Sequence, residues 1–147
     1  MILADEAATL ALGRALAAVA RPGDVIALHG DLGAGKTTLA RGLLAALGLA
    51  GEAPSPTFAI VQPYAPPETR IPVVHVDLYR IDDPEDTQEL GLDDYLEDSL
   101  VLIEWPERLG DRMWGHALHL TLARTADGAR ALTAAVPSAW EERWPLT

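Results

Sequence analysis

The fold of this chain is indicated above all by one stretch, Val25-Ile26-Ala27-Leu28-His29-Gly30-Asp31-Leu32-Gly33-Ala34-Gly35-Lys36-Thr37-Thr38. Its first four residues are all apolar, which is typical of a short strand that is buried on both faces. Leucines then recur at positions 39, 43, 44 and 47, the spacing of one helical face, and Gly48 is suited to end that helix. The stretch therefore predicts a buried strand, a glycine-rich loop and an amphipathic helix.

The loop itself matches the pattern G-x-x-x-x-G-K-T from Gly30 to Thr37. Glycines let backbone N–H groups point into a tight loop, and the following helix offers its free N–H groups and positive dipole end to the same anion. Lys36 can reach the β- and γ-phosphates of a nucleotide, and the Thr37 hydroxyl can ligate Mg²⁺. The alternative is a strand-to-helix turn without a ligand. The sequence predicts nucleotide contacts from Asp31, Leu32, Gly33, Ala34, Gly35, Lys36, Thr37 and Thr38.

The composition favours an acidic globular protein. Of 147 residues, 49% are hydrophobic and none is cysteine, which permits a core but excludes a disulfide scaffold, a thiolate metal site and a cysteine nucleophile. The net charge of −11 repels phosphate backbones and disfavours a free-standing nucleic-acid binder. The first residues are acidic where a signal peptide is basic, and no apolar run reaches the roughly 18–20 residues of a membrane span. We expect a cytoplasmic protein that forms a single domain over residues 1–147, with a C-terminal tail at 136–147.

Further elements extend the predicted sheet. A helix is expected over residues 4–20, and strands at 58–61, 73–79, 100–103, 117–123 and 129–136, while the four prolines in 63–72 favour an exposed connection. Helices and strands alternate early, and strands dominate later. This order predicts an α/β fold, a P-loop NTPase-like three-layer sandwich with a mostly parallel central sheet and an antiparallel extension.

Two carboxylates are candidates for the catalytic side of the loop. Glu104 ends the apolar strand 100–103, where a P-loop protein places its metal-side acid, although Asp is the usual residue there. Asp77 is the competitor, because period-two alternation puts it on one strand face with His75 and Tyr79. The alternatives are that Asp77 caps a turn and that His75 is a structural histidine.

The basic residues of the chain exclude one class of P-loop protein and bear on a second. Ten are arginines and the only lysine is Lys36, so the N/T-K-x-D motif of guanine-specific GTPases is impossible. A small-molecule kinase adds a lid with several basic residues. Arg108 and Arg112 are candidates for such a lid, but they form no cluster. A small-molecule P-loop kinase and a nucleotide-gated binding module remain open beside an ATPase.

Four motifs occur in order along the chain: the loop from Gly30 to Thr38, then Ser55-Pro56-Thr57-Phe58, His75-Val76-Asp77-Leu78-Tyr79-Arg80 and Ile103-Glu104-Trp105-Pro106-Glu107. Together they resemble the TsaE family, the bacterial ATPases of tRNA threonylcarbamoyladenosine biosynthesis. The resemblance runs from the N-terminal helix to about Val136, and the residues after it match nothing in the family pattern.

The resemblance implies a cofactor set and a role for each matched residue. Members bind ATP and Mg²⁺ and hydrolyse ATP weakly alone. Lys36 would bind phosphate, Thr37 and Glu104 would hold Mg²⁺, and Asp77 would orient or activate water, so that Asp77, Glu104 and Lys36 form the catalytic set. The resemblance also implies a switch role for the Thr57 hydroxyl and nucleotide contacts for Trp105, Thr9 and Arg130, the last two at the base.

The resemblance also implies partners. Members act with the TsaB–TsaD protein pair, and ATP turnover is thought to reset that complex between cycles. The tRNA would be handled by the partners and only indirectly by this chain, which agrees with its strong negative charge.

Overall fold

The computed structural model describes residues 1–31, 33–51 and 60–144. Its strands are β1 (Ile2–Leu3), β2 (Val25–His29), β3 (Val61–Tyr64), β4 (Val73–Asp77), β5 (Leu100–Glu104), β6 (Leu118–Arg124) and β7 (Arg130–Ala135). Its α-helices are α1 (Glu6–Val19), α2 (Lys36–Ala46) and the short α3 (Leu92–Tyr95). 3₁₀ helices occupy Pro84–Leu90, Pro106–Arg112 and Ser138–Trp140.

Within the described ranges, seven strands form one sheet in the order β1-β7-β6-β2-β5-β4-β3. The four central strands β6, β2, β5 and β4 are mutually parallel. Strands β1, β7 and β3 pair antiparallel at the two sides. This arrangement confirms the predicted α/β class, with a mostly parallel centre and an antiparallel extension.

Helices α1 and α2 cover one face of the sheet. They approach each other closely at two glycines: a Cβ on Gly13 would lie 2.7 Å from the Leu39 carbonyl oxygen, and a Cβ on Gly42 would lie 2.8 Å from the Leu10 carbonyl oxygen. Their leucines join every second side chain of the central strands in one core cluster. Because any larger residue at these positions would collide with backbone of the other helix, the glycines allow the two helices to pack in close contact.

The opposite face is covered by shorter pieces. Valines and isoleucines of β2, β4 and β5 pack there against Leu78, Ile81, Leu92 and Leu109, which come from the 3₁₀ helices, α3 and their connections. The apolar runs of the sequence are therefore buried on both sides, as a central parallel sheet requires. No helix among the described residues is long and apolar enough to cross a membrane.

The segment after β7 packs against the core cluster that α1 and α2 form with the central strands. The Trp140 side chain is fully buried there. Arg143 donates to both carboxylate oxygens of Asp24, at 2.6 and 3.0 Å, and lies over the Trp140 ring. The predicted tail, 136–147, is thus anchored as far as the structure describes it, to residue 144.

Strand β3 differs from the sequence expectation. A strand was expected over residues 58–61, of which 58 and 59 lie outside the described residues, and the observed strand is Val61–Tyr64. It includes Pro63, which the sequence places in an exposed connection. A proline is tolerated there because β3 is an edge strand, whose outward N–H groups need no partner in the sheet.

Candidate functional site

The topology gathers the predicted site at one edge of the sheet. Strands β2, β5 and β4 are parallel neighbours, so their carboxyl ends meet there. Glu104 is in register with Leu28 of β2 on one side and with Asp77 of β4 on the other. The glycine-rich loop leaves β2 at this same edge, which is where open α/β sheets bind their ligands.

The loop has the backbone of an anion cradle. Gly33 and Gly35 have φ values of 80° and 109°, which only glycine adopts readily. Gly35 precedes the first residue of α2 and supplies no side-chain cap, so the N–H groups of the first helical turn face the loop. Asp31 is exposed and its carbonyl accepts from the Ala34 N–H, whereas Leu32 lies outside the described residues. The helix dipole and these donors favour an anion at this point.

Lys36 is buried inside the loop it follows. Its side chain is 4% exposed, its ammonium donates to the Gly30 carbonyl at 2.5 Å, and it lies 3.6 Å from the centre of the Trp105 ring. Burial lowers the pKa of Lys36, and the carboxylates of Glu104 and Glu107 oppose that shift. A phosphate in the loop would offer this cation a stronger partner than a neutral carbonyl.

A buried hydrogen-bonded chain links α2 to strands β5 and β4. The Thr37 hydroxyl donates to Glu104 Oε1 at 3.2 Å, and His75 Nε2 lies 2.7 Å from Glu104 Oε2. The His75 and Glu104 side chains are 1% and 3% exposed. Because a carboxylate only accepts, His75 carries its hydrogen on Nε2. His75 Nδ1 is left without a partner among the described residues.

Asp77 both caps a turn and lies at the cleft. Its Oδ1 accepts from the Tyr79 N–H at 2.9 Å, so it does cap the turn that ends β4. It also lines the cleft that holds Thr37 and Glu104. Burial raises the pKa of Asp77, the Tyr79 N–H lowers it, and the negative charge of Glu104 raises it further.

Trp105 closes one side of the site in an unusual backbone conformation. It is the one non-glycine residue with positive φ among those the structure describes, at φ 60° and ψ 48°. Its ring contacts Lys36 and lies 5.0 Å from the ring of Tyr79. Such strain persists only where the surroundings hold it, and it is found most often at functional sites.

Two adjoining cavities form the site. The larger, about 280 Å³, is lined by phosphate-loop residues, the two carboxylates and the two aromatic rings: Gly33, Gly35, Lys36, Thr37, Thr38, Asp77, Tyr79, Glu104, Trp105 and Arg130. The smaller, about 100 Å³, lies between the start of α1 and the same loop. Thr9 and Arg130 line it, and Gly35, Thr38 and Arg130 border both cavities. The space therefore suits an elongated ligand with an anionic end.

Most of the residues that the sequence predicts for the site line these two cavities. Asp77, Glu104, Lys36, Thr37, Thr38, Trp105 and Arg130 line the larger cavity, and Thr9 lines the smaller one. Ala34, which is part of the loop, is buried. The predicted switch residue Thr57 lies outside the described residues.

Sequence reasoning missed Arg124. Its Nε donates to the Gly33 carbonyl at 2.9 Å, beside Arg130 Nη2 at 3.3 Å. A signal was present, because β6 is predicted as a strand and its carboxyl end reaches the loop if it lies parallel to β2. The register of that pairing could not be derived from one sequence.

Mg²⁺ fits the donor set beside the loop. Thr37 Oγ1 and Glu104 Oε1 are hard oxygen donors 3.2 Å apart. No group of three or more His, Asp or Glu side chains that could hold a metal ion exists among the described residues. Mg²⁺ is usually bound by one or two protein oxygens together with water and phosphate oxygens.

Comparisons with known proteins agree with this architecture. A family model described as "Threonylcarbamoyl adenosine biosynthesis protein TsaE" matches residues 3–132. Proteins named tRNA threonylcarbamoyladenosine biosynthesis protein TsaE are similar: one from Bacillus subtilis (strain 168) is 37% identical over 126 residues, covering 85% of this chain and 77% of the relative. One from Streptomyces coelicolor is 42% identical over 138 residues, covering 90% and 91%. The crystal structure of YdiB from Bacillus subtilis superposes with a TM-score of 0.82 at 32% identity, covering 97% of this chain and 88% of that one.

Proposed function

The chain belongs to the TsaE family, and from that premise we propose that it binds and hydrolyses ATP for tRNA threonylcarbamoyladenosine biosynthesis, in association with a TsaB–TsaD pair. The observation that carries the ATPase assignment is the meeting of Lys36, Thr37, Glu104 and Asp77 in one cleft at the carboxyl edge of parallel strands. A cytoplasmic location goes with this role, because tRNA is modified there.

The phosphate loop would hold the polyphosphate of ATP. Backbone N–H groups around Gly33 and Gly35 and the first turn of α2 supply donors, and the Lys36 ammonium lies next to them. When the γ-phosphoryl group departs, charge builds up on the bridging and terminal oxygens. Fixed donors and a buried cation stabilise that charge without having to reorganise.

Thr37 and Glu104 would hold Mg²⁺ beside the phosphates. When bound, the ion would neutralise charge on the β- and γ-phosphates. His75 fixes the Glu104 carboxylate from behind, so its free electron pairs are directed toward Thr37 and the cleft.

Asp77 would orient the attacking water. Its carboxylate lines the cleft with one oxygen tied to the Tyr79 N–H, so the side chain is held in one rotamer and the second oxygen can accept from water. A raised pKa makes this carboxylate a better base than an exposed aspartate.

The adenine and ribose would lie toward the smaller cavity. Thr9 near the start of α1 and Arg130 at the start of β7 both line it, together with Gly35 and Thr38. The geometry supports the base contacts implied for Thr9 and Arg130. It brings Asp5 and Glu6, which sequence reasoning did not single out, to the same cavity.

The deciding experiment is phosphate release from Mg·ATP by the full chain, alone and with purified TsaB and TsaD, without any other acceptor. We expect slow release alone and faster release with the pair. Lys36→Ala should abolish both release and ATP binding measured by calorimetry. Arg21→Ala serves as a control, since Arg21 is exposed and precedes β2 at the opposite edge of the sheet.

Other outcomes would point to other functions. Consumption of ATP only after addition of a small-molecule acceptor would indicate a kinase. Tight ATP binding without turnover under any condition would indicate a nucleotide-gated binding module. ATP affinity unchanged by Lys36→Ala would overturn the assignment of the phosphate loop itself.

A further inference from the structure

The end of β6 runs alongside the phosphate loop. Strand β6 pairs in parallel with β2 as far as the His29–Thr121 pair, and then continues three residues further to Arg124. The loop lies directly against this extension: a Cβ on Gly30 would come within 2.5 Å of the Leu122 carbonyl oxygen. The last residue of β6 is thereby placed beside the middle of the loop.

Arg124 contacts the phosphate loop at Gly33. Its Nε donates to the Gly33 carbonyl at 2.9 Å, and its Nη2 lies 2.9 Å from the position that a Cβ on Gly33 would occupy. Arg130, the register partner of Arg124 on β7, donates to the same carbonyl at 3.3 Å and to the Gly128 and Ala129 carbonyls. Two guanidinium groups from neighbouring strands thus share one carbonyl of the loop.

This contact holds the carbonyl end of the Gly33–Ala34 peptide group. Gly33 has a φ of 80° and no side chain, so its own sequence does little to choose its conformation. The Gly33–Ala34 peptide is held at both ends, its carbonyl by the arginines and its N–H by the Asp31 carbonyl at 3.0 Å. The orientation of this peptide determines where the following N–H groups point, and these are the donors of the anion cradle.

We propose that Arg124 is a positioning residue that holds the phosphate loop in its binding shape before the nucleotide arrives. This inference rests on the proposed ATP binding at the loop. Arg124 does not line the larger cavity, so it acts through Gly33, whereas Arg130 lines the cavity itself.

The proposal has a kinetic signature. If only a fraction of molecules has the loop in its binding shape, the apparent dissociation constant rises by the inverse of that fraction. Bound phosphates hold the loop themselves, so loss of Arg124 should slow association and leave dissociation nearly unchanged. The lost interaction is a hydrogen bond from a charged group at an exposed site. We therefore expect the association rate constant to decrease by about threefold to tenfold.

The test is stopped-flow binding of a fluorescently labelled ATP to the full chain carrying Arg124→Ala, Arg124→Lys or Arg124→Gln. Arg21→Ala removes the same charge at the opposite edge of the sheet and is the matched control. We expect slower association for all three Arg124 variants, with incomplete recovery in the lysine variant, which keeps the charge but not the planar guanidinium. The deficit should persist in high salt, where long-range attraction is screened.

Four results would overturn the proposal. Full recovery by lysine, or a deficit that disappears in high salt, would reduce Arg124 to a source of positive charge. Unchanged association with faster dissociation would make it a direct ligand. Wild-type rates in Arg124→Ala would remove it from the site. If the alanine variant fails to fold, as thermal unfolding will show, the lysine and glutamine variants decide.

The proposed ATP binding and the proposed role of Arg124 can fail separately. If the wild-type chain binds no ATP, or binds it equally well after Lys36→Ala, the proposed function fails. If the wild type binds ATP in a Lys36-dependent way and Arg124→Ala associates at the same rate, only the role of Arg124 fails.

Discussion

Glu104 Oε2 lies 2.7 Å from His75 Nε2, and both side chains are almost entirely buried between strands β4 and β5. The second oxygen of the same carboxylate accepts from Thr37 at the start of α2. His75 is therefore neither an isolated core histidine nor a residue of the cleft surface. It supports the carboxylate that faces the phosphate loop, so its loss should affect both the fold and the site.

Removal of the His75 side chain should destabilise the protein. His75→Ala leaves one oxygen of the buried Glu104 carboxylate without its hydrogen-bond donor. We expect this loss to lower the free energy of unfolding by about 3 kcal/mol. His75→Gln keeps a donor and should lose less than the alanine variant. Urea unfolding at neutral pH measures both. A difference of less than about 1 kcal/mol between wild type and His75→Ala would show that Glu104 is supported in another way.

Replacement of Asp77 by Asn should separate ATP binding from turnover. The amide oxygen of Asn can still accept from the Tyr79 N–H, but the variant has no charge with which to orient and activate water. We expect an affinity for ATP close to that of the wild type and phosphate release reduced by about a hundredfold or more. Calorimetry and a phosphate-release assay check the two parts. Equal losses of binding and release would make Asp77 structural or a metal ligand.

The same substitution should stabilise the fold near neutral pH. Burial raises the pKa of Asp77, so the folded chain binds its proton more tightly than the unfolded chain does. The ionised carboxylate therefore destabilises the fold above its raised pKa, and this penalty disappears as the pH falls toward the ordinary value. Asp77→Asn should have a higher Tm than the wild type at pH 7, and the difference should shrink as the pH is lowered. A lower Tm for the variant at pH 7 would contradict this account.

The C-terminal segment should be required for stability. Arg143→Ala leaves Asp24, which is 7% exposed, without its bidentate partner, and we expect a loss of about 3 kcal/mol. Trp140→Ala empties a fully buried site and should cost about 3–5 kcal/mol. Glu142→Ala, at an exposed position of the same segment, is the control. Unfolding curves that coincide for all three variants would show that this segment contributes little.

The parts of the fold that could be predicted are those with strong local patterns. The stretch from Val25 to Thr38 contains a complete strand, loop and helix start, each recognisable from its own residues, and the structure places α2 at Lys36. Glu104 could be proposed for the site because it ends an apolar run, and Asp77 because period-two alternation puts it on one strand face with His75 and Tyr79.

The parts that could not be predicted depend on contacts distant in sequence. Strand β1 is only two residues long and exists because it pairs with β7, more than 120 residues away. Arg124 reaches Gly33 only because β6 lies parallel to β2 in a particular register. Trp140 and Arg143 follow the matched motifs, and their role depends on a core that α1 and α2 build. In each case the local sequence is compatible with several partners, and the tertiary structure selects one.

Stability below neutral pH should depend on His29. His29 Nε2 lies 2.8 Å from His119 Nδ1, and burial lowers the pKa of His29, as does the neighbouring His119 charge, while Glu107 at 3.6 Å raises it. The unfolded chain binds this proton at about pH 6.5, more tightly than the folded chain, so the free energy of unfolding decreases as the pH falls from about 6.5 through the lowered pKa. His29→Asn removes this proton uptake, and its stability should decline less steeply than that of the wild type when urea unfolding is measured between pH 7 and 5. Above pH 7 both curves should run parallel, because His29 is then neutral in the folded and the unfolded chain. Identical slopes over the whole range would mean that His29 does not resist protonation in the folded chain.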